Sequence, residues 1–140
     1  MRLKDKCAIV TGGASGFGEG IARKFVAEGA RVLIADMNLD GAEALAAELG
    51  SNVSATSVNV AVNADVKAMT ATALEQFGRI DILVNNAGTT HMPAPMEDIS
   101  EEDFDRVLAV NAKSVYLTAR HIVPLIEFMV HRKGQVVGVI

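Results

Sequence analysis

The residues best suited to chemistry are three glycines close to the N-terminus. Gly12, Gly16 and Gly18 follow an apolar run at residues 7–10 and precede residues 19–28, which are apolar at helical spacing. The free N–H groups of a first helical turn and the helix dipole attract an anion. Gly12 permits a turn closed to most residues, Gly16 lets the backbone approach a diphosphate, and Gly18 lets the helix pack on the strand. The spacing predicts the phosphate-binding loop of a βαβ unit.

A carboxylate follows this loop at an informative distance. Residues 31–35 read as a second strand, and it ends in Asp36, about 20 residues after the glycines, where a ribose-binding acid is expected. Such a carboxylate accepts hydrogen bonds from a 2′,3′-diol and repels a 2′-phosphate. Residues 13–17, Met37 and Asn38 carry no positive charge, so the sequence favours NAD over NADP. The three glycines alone also fit an ordinary βα turn. The position of Asp36 makes that interpretation less favoured.

Length, composition and net charge limit the class of protein to which the chain can belong. The chain has 140 residues, half of them hydrophobic, so we expect a single domain over residues 1–140 with a real core. Its net charge is −4 without a basic cluster, so we expect no nucleic-acid partner. Its apolar runs are far shorter than the roughly 20 residues that span a bilayer, so we expect no membrane partner.

Cysteine usage and the N-terminal residues point to a metal-free cytoplasmic protein. Cys7 is the one cysteine and lies in an apolar run, so we expect an inert core thiol. No His/Cys cluster has metal-ligand spacing, so we expect no metal site. Residues 1–6 lead directly into a strand and do not resemble a signal peptide.

Strand and helix patterns alternate, which predicts an α/β fold: a Rossmann-type doubly wound parallel sheet with helices on both faces. The expected strands are residues 7–10, 31–35, 53–60, 80–84 and 136–140, and the expected helices are residues 19–28, 39–49, 64–77 and 101–131. Asn38 and Asn63 are expected N-caps. Ser100 and Asp103 suggest a capping box. Pro124 should bend the last helix or interrupt its hydrogen bonding.

The candidate residues should meet at one edge of this sheet. Right-handed crossovers bring the glycine loop and the ends of the next three strands together. Asp36, Asn59 and residues 85–88 all fall at that edge. Open α/β sheets bind ligands in the crevice at the carboxyl ends of their strands. The sequence therefore predicts a dinucleotide site there.

These motifs resemble one family. Residues 11–18, Thr-Gly-Gly-Ala-Ser-Gly-Phe-Gly, match the Thr-Gly-x-x-x-Gly-x-Gly pattern of short-chain dehydrogenases/reductases. Residues 85–88, Asn-Asn-Ala-Gly, match the motif after the fourth strand of that family, and Val110-Asn111 matches its helix asparagine. The resemblance covers the whole chain. Within the family it is nearest to the 3-oxoacyl-[acyl-carrier-protein] reductases.

The resemblance implies hydride transfer between NAD(H) and a small-molecule secondary alcohol or ketone. The residues that would hold the dinucleotide are Gly12, Ser15, Gly16, Phe17, Gly18, Asp36, Asn59, Val60, Asn86, Ala87 and Gly88. Asp36 would bind the adenosine ribose. Asn59 stands where many members carry aspartate against the adenine amino group. It can still accept that hydrogen bond, but without a charge, so weaker adenine binding is expected. Asn111 would join the catalytic tetrad and hold a water of a proton relay.

Simpler roles stay open for several of these residues. Asn85 and Asn86 are also suited to satisfying backbone groups at a strand end. Asn111 lies among apolar residues, so we expect a buried amide that acts either as a structural bridge or as a relay member. His91 lies in a polar loop and is expected to be a solvated or lid histidine rather than a catalytic one.

One departure from the family concerns the proton-transfer groups. The family uses a serine after strand five and a Tyr-x-x-x-Lys pair on the next helix. The single tyrosine here, Tyr116, is followed four residues later by Arg120, which does not titrate, so we expect Tyr116 to be a packing residue.

The sequence is therefore expected to be the N-terminal, cofactor-binding portion of a truncated family member, inactive by itself. A catalytically silent dinucleotide-binding or dimerising module is the alternative. The apolar residues on several faces of helix 101–131 predict a homo-oligomer, dimer or tetramer, through that helix.

Overall fold

The computed structural model describes residues 1–133, and the side chains of residues 1–126. The strands are β1 (Cys7–Thr11), β2 (Arg31–Asp36), β3 (Val53–Ser57) and β4 (Ile82–Val84). The α-helices are α1 (Gly16–Ala27), α2 (Leu39–Leu49), α3 (Asn63–Phe77), α4 (Glu101–Leu108) and α5 (Ser114–Lys133). A short 3-10 turn spans Met96–Asp98, and a π-helical segment, Ala109–Lys113, joins α4 to α5.

The described strands form one parallel sheet in the order β3-β2-β1-β4. Ile9 of β1 aligns with Leu33 of β2 on one side and with Leu83 of β4 on the other. The chain leaves β1 toward β2 and β3, and it returns through α3 to pair β4 with the opposite side of β1. This arrangement confirms the predicted Rossmann-type α/β sheet, with a switch point between β1 and β4.

Helices cover both faces of the sheet because successive strand residues point to opposite sides. Ile9 and Leu33 face a core built with α3 and α5, whereas Val10 and Ile34 face a core built with α1 and α2. The residues of the first core include Val66, Met69, Ile80, Leu83, Leu117, Ile122 and Ile126. The residues of the second include Ala22, Val32, Ala42, Leu45 and Val84. Burial on both faces explains the uninterrupted apolar run of β1.

Two strands are shorter than predicted. β3 ends at Ser57 rather than at residue 60, and β4 begins at Ile82 rather than at residue 80. After β3, the Asn59 side chain accepts a hydrogen bond from the Ala61 N–H at 3.0 Å, so the chain turns away from the sheet. The apolar residues just beyond the shortened ends of these strands still pack in the core. Their sequence pattern therefore resembled that of a strand.

Of the expected N-caps, two are confirmed and one is wrong. Asn38 Oδ1 accepts from the Gly41 N–H, and Ser100 Oγ accepts from the Asp103 N–H, each at 3.1 Å. Asn63 is instead the first residue of α3, and Val62 is the N-cap. The Val62 N–H donates to the Asn59 carbonyl at 3.0 Å, and this turn starts the helix one residue early.

The predicted helix 101–131 is not a single α-helix. The π-helical segment Ala109–Lys113 divides it into α4 and α5, and α5 continues through Pro124 to Lys133. A π turn inserts one extra residue and often marks a functional site. The predicted strand at residues 136–140 lies outside the described residues. Within residues 1–133, no helix combines the length and the apolar character needed to cross a bilayer.

Cys7 should be protected from alkylation. Its side chain is 3% exposed, and its N–H donates to Asp81 Oδ2 at 2.9 Å. Burial raises the pKa of the Cys7 thiol above its ordinary value, and the nearby Asp81 carboxylate raises it further. The thiol therefore stays protonated at pH 8. We expect iodoacetamide to modify the folded protein at least about 100-fold more slowly than the urea-unfolded protein. Equal rates, measured by intact mass, would contradict the buried thiol.

Candidate functional site

A cleft of about 700 Å³ opens at the carboxyl ends of the strands, across the switch point. Most residues predicted to hold a dinucleotide line it: Gly12, Ser15, Phe17, Asp36, Asn59, Val60, Asn86, Ala87 and Gly88. Gly16, Gly18 and Asn111 lie outside its lining. The lining also includes residues that sequence reasoning missed: Met37, Val58, Ala61, Thr89, Arg106, Ala109 and Val110. The predicted convergence at one edge of the sheet is therefore observed.

Two glycines allow α1 to approach the ends of β1 and β4. A Cβ atom on Gly18 would lie 2.1 Å from the Gly12 carbonyl oxygen and 2.5 Å from Asn86 Nδ2. A Cβ atom on Gly12 would lie 2.9 Å from the Ala87 Cα, and Gly12 has a φ of +61°. The tight packing predicted for Gly18 is observed. Gly16 serves another purpose, since its φ is +57° and, apart from its chain neighbours and the nearby backbone of α1, no described atom lies within 4 Å of the Cβ position.

The N-terminus of α1 is open at the cleft. Ser15 is the N-cap, and its hydroxyl makes no capping hydrogen bond within the described residues. The Phe17 side chain, in the first turn, is 90% exposed. The leading N–H groups of a helix lack intrahelical acceptors and carry partial positive charge. This end of the cleft therefore suits an anionic group such as a diphosphate.

Asp36 is held against the glycine loop at the end of β2. Its Oδ2 accepts from the Ala14 N–H at 3.0 Å, and its Oδ1 accepts from the Asn38 N–H at 2.9 Å. Each carboxylate oxygen has further acceptor capacity. The carboxylate is thus preorganised in the cleft and able to accept hydrogen bonds from a diol.

A junction of side chains joins the ends of β1 and β4. The Thr11 hydroxyl donates to the Val84 carbonyl at 3.2 Å and accepts from the N–H groups of Asn86 and Ala87, each at 3.1 Å. Asn86 Nδ2 donates to the carbonyls of Thr11 and Gly12, both at 3.0 Å. Asn86 therefore satisfies backbone groups while it lines the cleft, as one of the open alternatives proposed. Sequence reasoning gave Thr11 no role, although a polar residue ending a buried strand was a signal.

Asn85 links the sheet to α5. Its Oδ1 accepts from the hydroxyl of Thr118 at 2.8 Å, and Thr118 is fully buried. A buried hydroxyl requires such a partner. Asn85 thus has a structural role, but its partner is a side-chain hydroxyl rather than the backbone groups that the sequence suggested. Sequence reasoning did not identify Thr118, which is more than 30 residues away along the chain.

Asn111 acts as a structural bridge, but it is not buried. Its Oδ1 accepts from the Thr89 N–H, and its Nδ2 donates to the Thr89 carbonyl, both at 2.8 Å. The side chain is exposed, so the expected burial is wrong. The π-helical segment shifts the register of the helix, which turns Asn111 out of the apolar face and toward the loop after β4.

Arg106 fastens the same loop from α4. Its guanidinium donates to the Thr89 hydroxyl at 3.0 Å, to the Thr90 carbonyl at 3.2 Å and to Asp103 at 2.9 Å. The hydrogen bond from Arg106 holds the pKa of Asp103 below its usual range. Arg106 and Asn111 therefore position Thr89 as one wall of the cleft. The i, i+3 spacing of Asp103 and Arg106 was the available sequence signal.

Other candidates lie outside this cleft. His91 is partly exposed, and its Nδ1 lies 2.7 Å from the Met92 carbonyl oxygen, away from the cleft lining. Tyr116 is 57% exposed and its hydroxyl accepts from Arg120 at 3.1 Å, so the packing role expected for it is wrong. In the part of the chain with described side chains, no group of three His, Cys, Asp or Glu residues is placed to bind a metal ion.

The fold and the cleft agree with a comparison of the sequence with known families. A family model described as short chain dehydrogenase matches residues 6–140. The chain belongs to the short-chain dehydrogenase/reductase family. Members of this family are oxidoreductases, and the recognition made from residues 11–18 and 85–88 is confirmed.

Individual relatives agree with this membership. The D-threitol dehydrogenase of Mycolicibacterium smegmatis is 45% identical over 120 residues, which is 84% of this chain and 46% of that protein. The sorbitol dehydrogenase of Cereibacter sphaeroides is 45% identical over 111 residues, which is 79% of this chain and 43% of that protein. The chain thus spans about half the length of the curated relatives that it matches.

A solved structure of the family is also similar. The crystal structure of a 3-ketoacyl-(acyl-carrier-protein) reductase from Brucella melitensis, complexed with NADH, superposes with a TM-score of 0.94 at 42% identity. The match covers 98% of this chain and 56% of that one. The Rossmann arrangement of this short-chain dehydrogenase sequence is therefore shared with a solved member.

The close approach at Gly18 predicts a sharp difference between two glycines of α1. Gly18→Ala places a methyl group against the Gly12 carbonyl, so we expect a loss of about 2 kcal/mol or more in the free energy of unfolding. Gly20→Ala is the matched control, because no described atom outside its chain neighbours and the nearby backbone of α1 lies within 4 Å of its Cβ position. There the higher helix propensity of alanine should stabilise by up to about 1 kcal/mol. Urea denaturation measures both, and equal stabilities would refute the packing role of Gly18.

Proposed function

We propose that the protein to which these residues belong transfers a hydride between NAD(H) and a secondary alcohol or ketone. This chain supplies the dinucleotide-binding half. The supporting observation is the meeting of the glycine loop, Asp36 and residues 86–88 around one cleft at the switch point.

The cofactor fits the donors and acceptors that line the cleft. The open N-terminus of α1 is suited to the diphosphate. Asp36 would bind the adenosine ribose, and Asn59 with Val60 would lie at the adenine. The segment from Asn86 to Gly88 would line the cofactor near its ribose. When bound, NAD(H) accepts or supplies the hydride, and this chain holds and orients it.

The charges of the cleft favour NAD over NADP. The Asp36 carboxylate accepts from hydroxyl groups and repels a 2′-phosphate. Of the described residues that line the cleft, Arg106 alone is cationic, and Asp103, Thr89 and Thr90 already engage its guanidinium. No other lining cation is available to receive the additional phosphate of NADP.

The substrate is proposed at the level of chemical class. The relatives named above act, by their names, on D-threitol, sorbitol and a 3-ketoacyl group. A secondary alcohol or its ketone is common to these substrates. The 3-oxoacyl type suggested by the sequence resemblance remains a proposal of the same class.

Asn111 is proposed as the relay residue of this half. Its Oδ1 uses one acceptor site for the Thr89 N–H and keeps a second for a water.

Proton transfer itself needs an acid or base within hydrogen-bond reach of the substrate. Tyr116 does not fill this role in the structure, because its exposed hydroxyl accepts a hydrogen bond from Arg120 and, within the described residues, it makes no hydrogen bond to the loop after β4, which Asn111 binds. A dinucleotide-binding module without turnover is the second candidate, and it is favoured by the position of Tyr116, the tyrosine among these residues, outside the cleft lining.

Exposed side chains on α4 and at the start of α5 support a proposed homo-oligomer. Phe104 and Leu108 on α4, with Val115 and Tyr116 at the start of α5, are between 44% and 57% exposed. Apolar side chains exposed along neighbouring helices are suited to packing against a second copy of the chain. Residues 101–131 are therefore the proposed interface.

Removing the charge of Asp36 should reduce cofactor discrimination. Asp36→Asn keeps an acceptor oxygen for the Ala14 or Asn38 N–H but no longer repels a 2′-phosphate. We expect the ratio of the Kd for NADP to that for NAD, measured by calorimetry, to fall at least about tenfold. Asp40→Asn is the control, because this exposed residue of α2 carries the same charge outside the cleft lining. An unchanged ratio in the Asp36 variant would overturn the ribose assignment.

The 140-residue chain should bind NAD without turnover. It has the proposed dinucleotide cleft, but among the described residues no tyrosine or lysine lines that cleft to transfer a proton. The measurement is NADH absorbance with a panel of alcohols and ketones, using mass-verified protein. Turnover by the pure chain would show that a catalytic group has been missed. A longer protein carrying a Tyr-x-x-x-Lys pair but no activity would instead favour the silent module.

A further inference from the structure

The Arg106 guanidinium joins two residues of the loop after β4 to α4. Its Nη1 donates to the Thr89 hydroxyl at 3.0 Å, and its Nη2 donates to the Thr90 carbonyl at 3.2 Å and to Asp103 Oδ1 at 2.9 Å. A guanidinium is planar and presents its donors in a fixed fork, so these contacts set its orientation. Asp103 belongs to the same helix as Arg106, and it therefore holds the fork while the fork holds the loop.

Thr89 is bound at each of its polar groups. Its hydroxyl accepts from Arg106, its N–H donates to Asn111 Oδ1, and its carbonyl accepts from Asn111 Nδ2. Residues 92–98, which continue the chain beyond this point, are all exposed. The position of the loop at the cleft therefore depends on the hydrogen bonds made at Thr89 and Thr90.

The order of the strands places Thr89 beside one half of the dinucleotide. Under the proposed function, on which this inference rests, the diphosphate lies at α1 and the adenosine ribose lies at Asp36, which ends β2. β2 and β4 flank β1 on opposite sides. A second nucleoside that continues from the diphosphate away from Asp36 therefore meets the loop after β4, where Thr89 and Arg106 both line the cleft.

We infer that Arg106 is a positioning residue for the nicotinamide nucleoside and that it acts through the Thr89 hydroxyl. The geometry of the guanidinium, and not its charge, is what this role requires. A lysine would keep the charge, but its single ammonium on a flexible stem cannot hold Thr89, Thr90 and Asp103 in one plane. The wall at Thr89 would then lose its fixed position, and the nucleoside on this side of the diphosphate would lose its contacts.

The test compares NAD with ADP, which contains the adenosine and the diphosphate but lacks the nicotinamide nucleoside. Calorimetry on the intact chain gives the Kd of each ligand, and NAD should bind more tightly than ADP. In Arg106→Lys, we expect the Kd for NAD to rise at least about fivefold and the Kd for ADP to change less than about twofold. ADP carries more negative charge than NAD, so a loss of electrostatic attraction would instead weaken ADP at least as much.

Variants of Thr89 test the route by which Arg106 acts. Thr89→Val removes the hydroxyl and should weaken NAD binding, whereas Thr89→Ser keeps it and should bind NAD within about twofold of the unmodified protein. The double variant of Arg106→Lys with Thr89→Val should bind NAD as weakly as Arg106→Lys alone, because both changes break the same contact. Effects that multiply in the double variant would overturn the assignment of the Thr89 hydroxyl as the intermediary.

Arg23 is the matched control, because it binds Glu19 and Glu48 through a similar fork outside the cleft lining. Arg23→Lys should leave both constants unchanged, and thermal unfolding checks that each variant is folded. Equal weakening of both ligands in Arg106→Lys would overturn the inference. An unchanged Kd for NAD in folded Thr89→Val, or NAD binding no tighter than ADP in the unmodified protein, would overturn it even if Arg106→Lys failed to fold. Binding of neither ligand would overturn the proposed function and this inference together.

Discussion

The rest of the site depends on the junction between the ends of β1 and β4. These neighbouring parallel strands send their connections to opposite sides of the sheet, so a crevice opens between them. The Thr11 hydroxyl and the Asn86 amide bind the main-chain groups exposed where the two strands end. Without those partners, buried polar groups would lose their hydrogen bonds. One set of contacts therefore completes the sheet and shapes the floor of the cleft.

The glycine loop closes onto this junction because it has no side chains there. Gly18 brings α1 against the Gly12 carbonyl and the Asn86 amide at distances that exclude a Cβ atom. The helix N-terminus consequently lies at the crevice, where its dipole acts on any anion that enters. Asp36 completes the arrangement from β2 through its hydrogen bond with the Ala14 N–H. Packing and ligand recognition thus use the same main-chain approach.

The opposite wall is built differently, from side chains that reach across from α4 and the π-helical segment. Asn111 binds both main-chain groups of Thr89, and Arg106 binds its hydroxyl. The extra residue of the π turn is what places Asn111 at the loop while α5 continues to pack on the sheet. Asn59, at the third side, is held by the turn between β3 and α3. The lining is therefore held by hydrogen bonds on every side described.

The sequence by itself determined the parallel sheet, the glycine loop and the position of Asp36. Each rests on a local signal: an apolar run, a backbone position that only glycine fits, or a fixed offset along the chain. The tertiary structure alone decided the roles of Thr11, Thr118 and Arg106, and the exposure of Asn111. The partners that give them these roles lie between 16 and 76 residues away along the chain, so the local signals at Thr11 and Arg106 could not identify those partners. The break between α4 and α5 was equally hidden, because a π turn keeps a helix-like composition and shifts only the register.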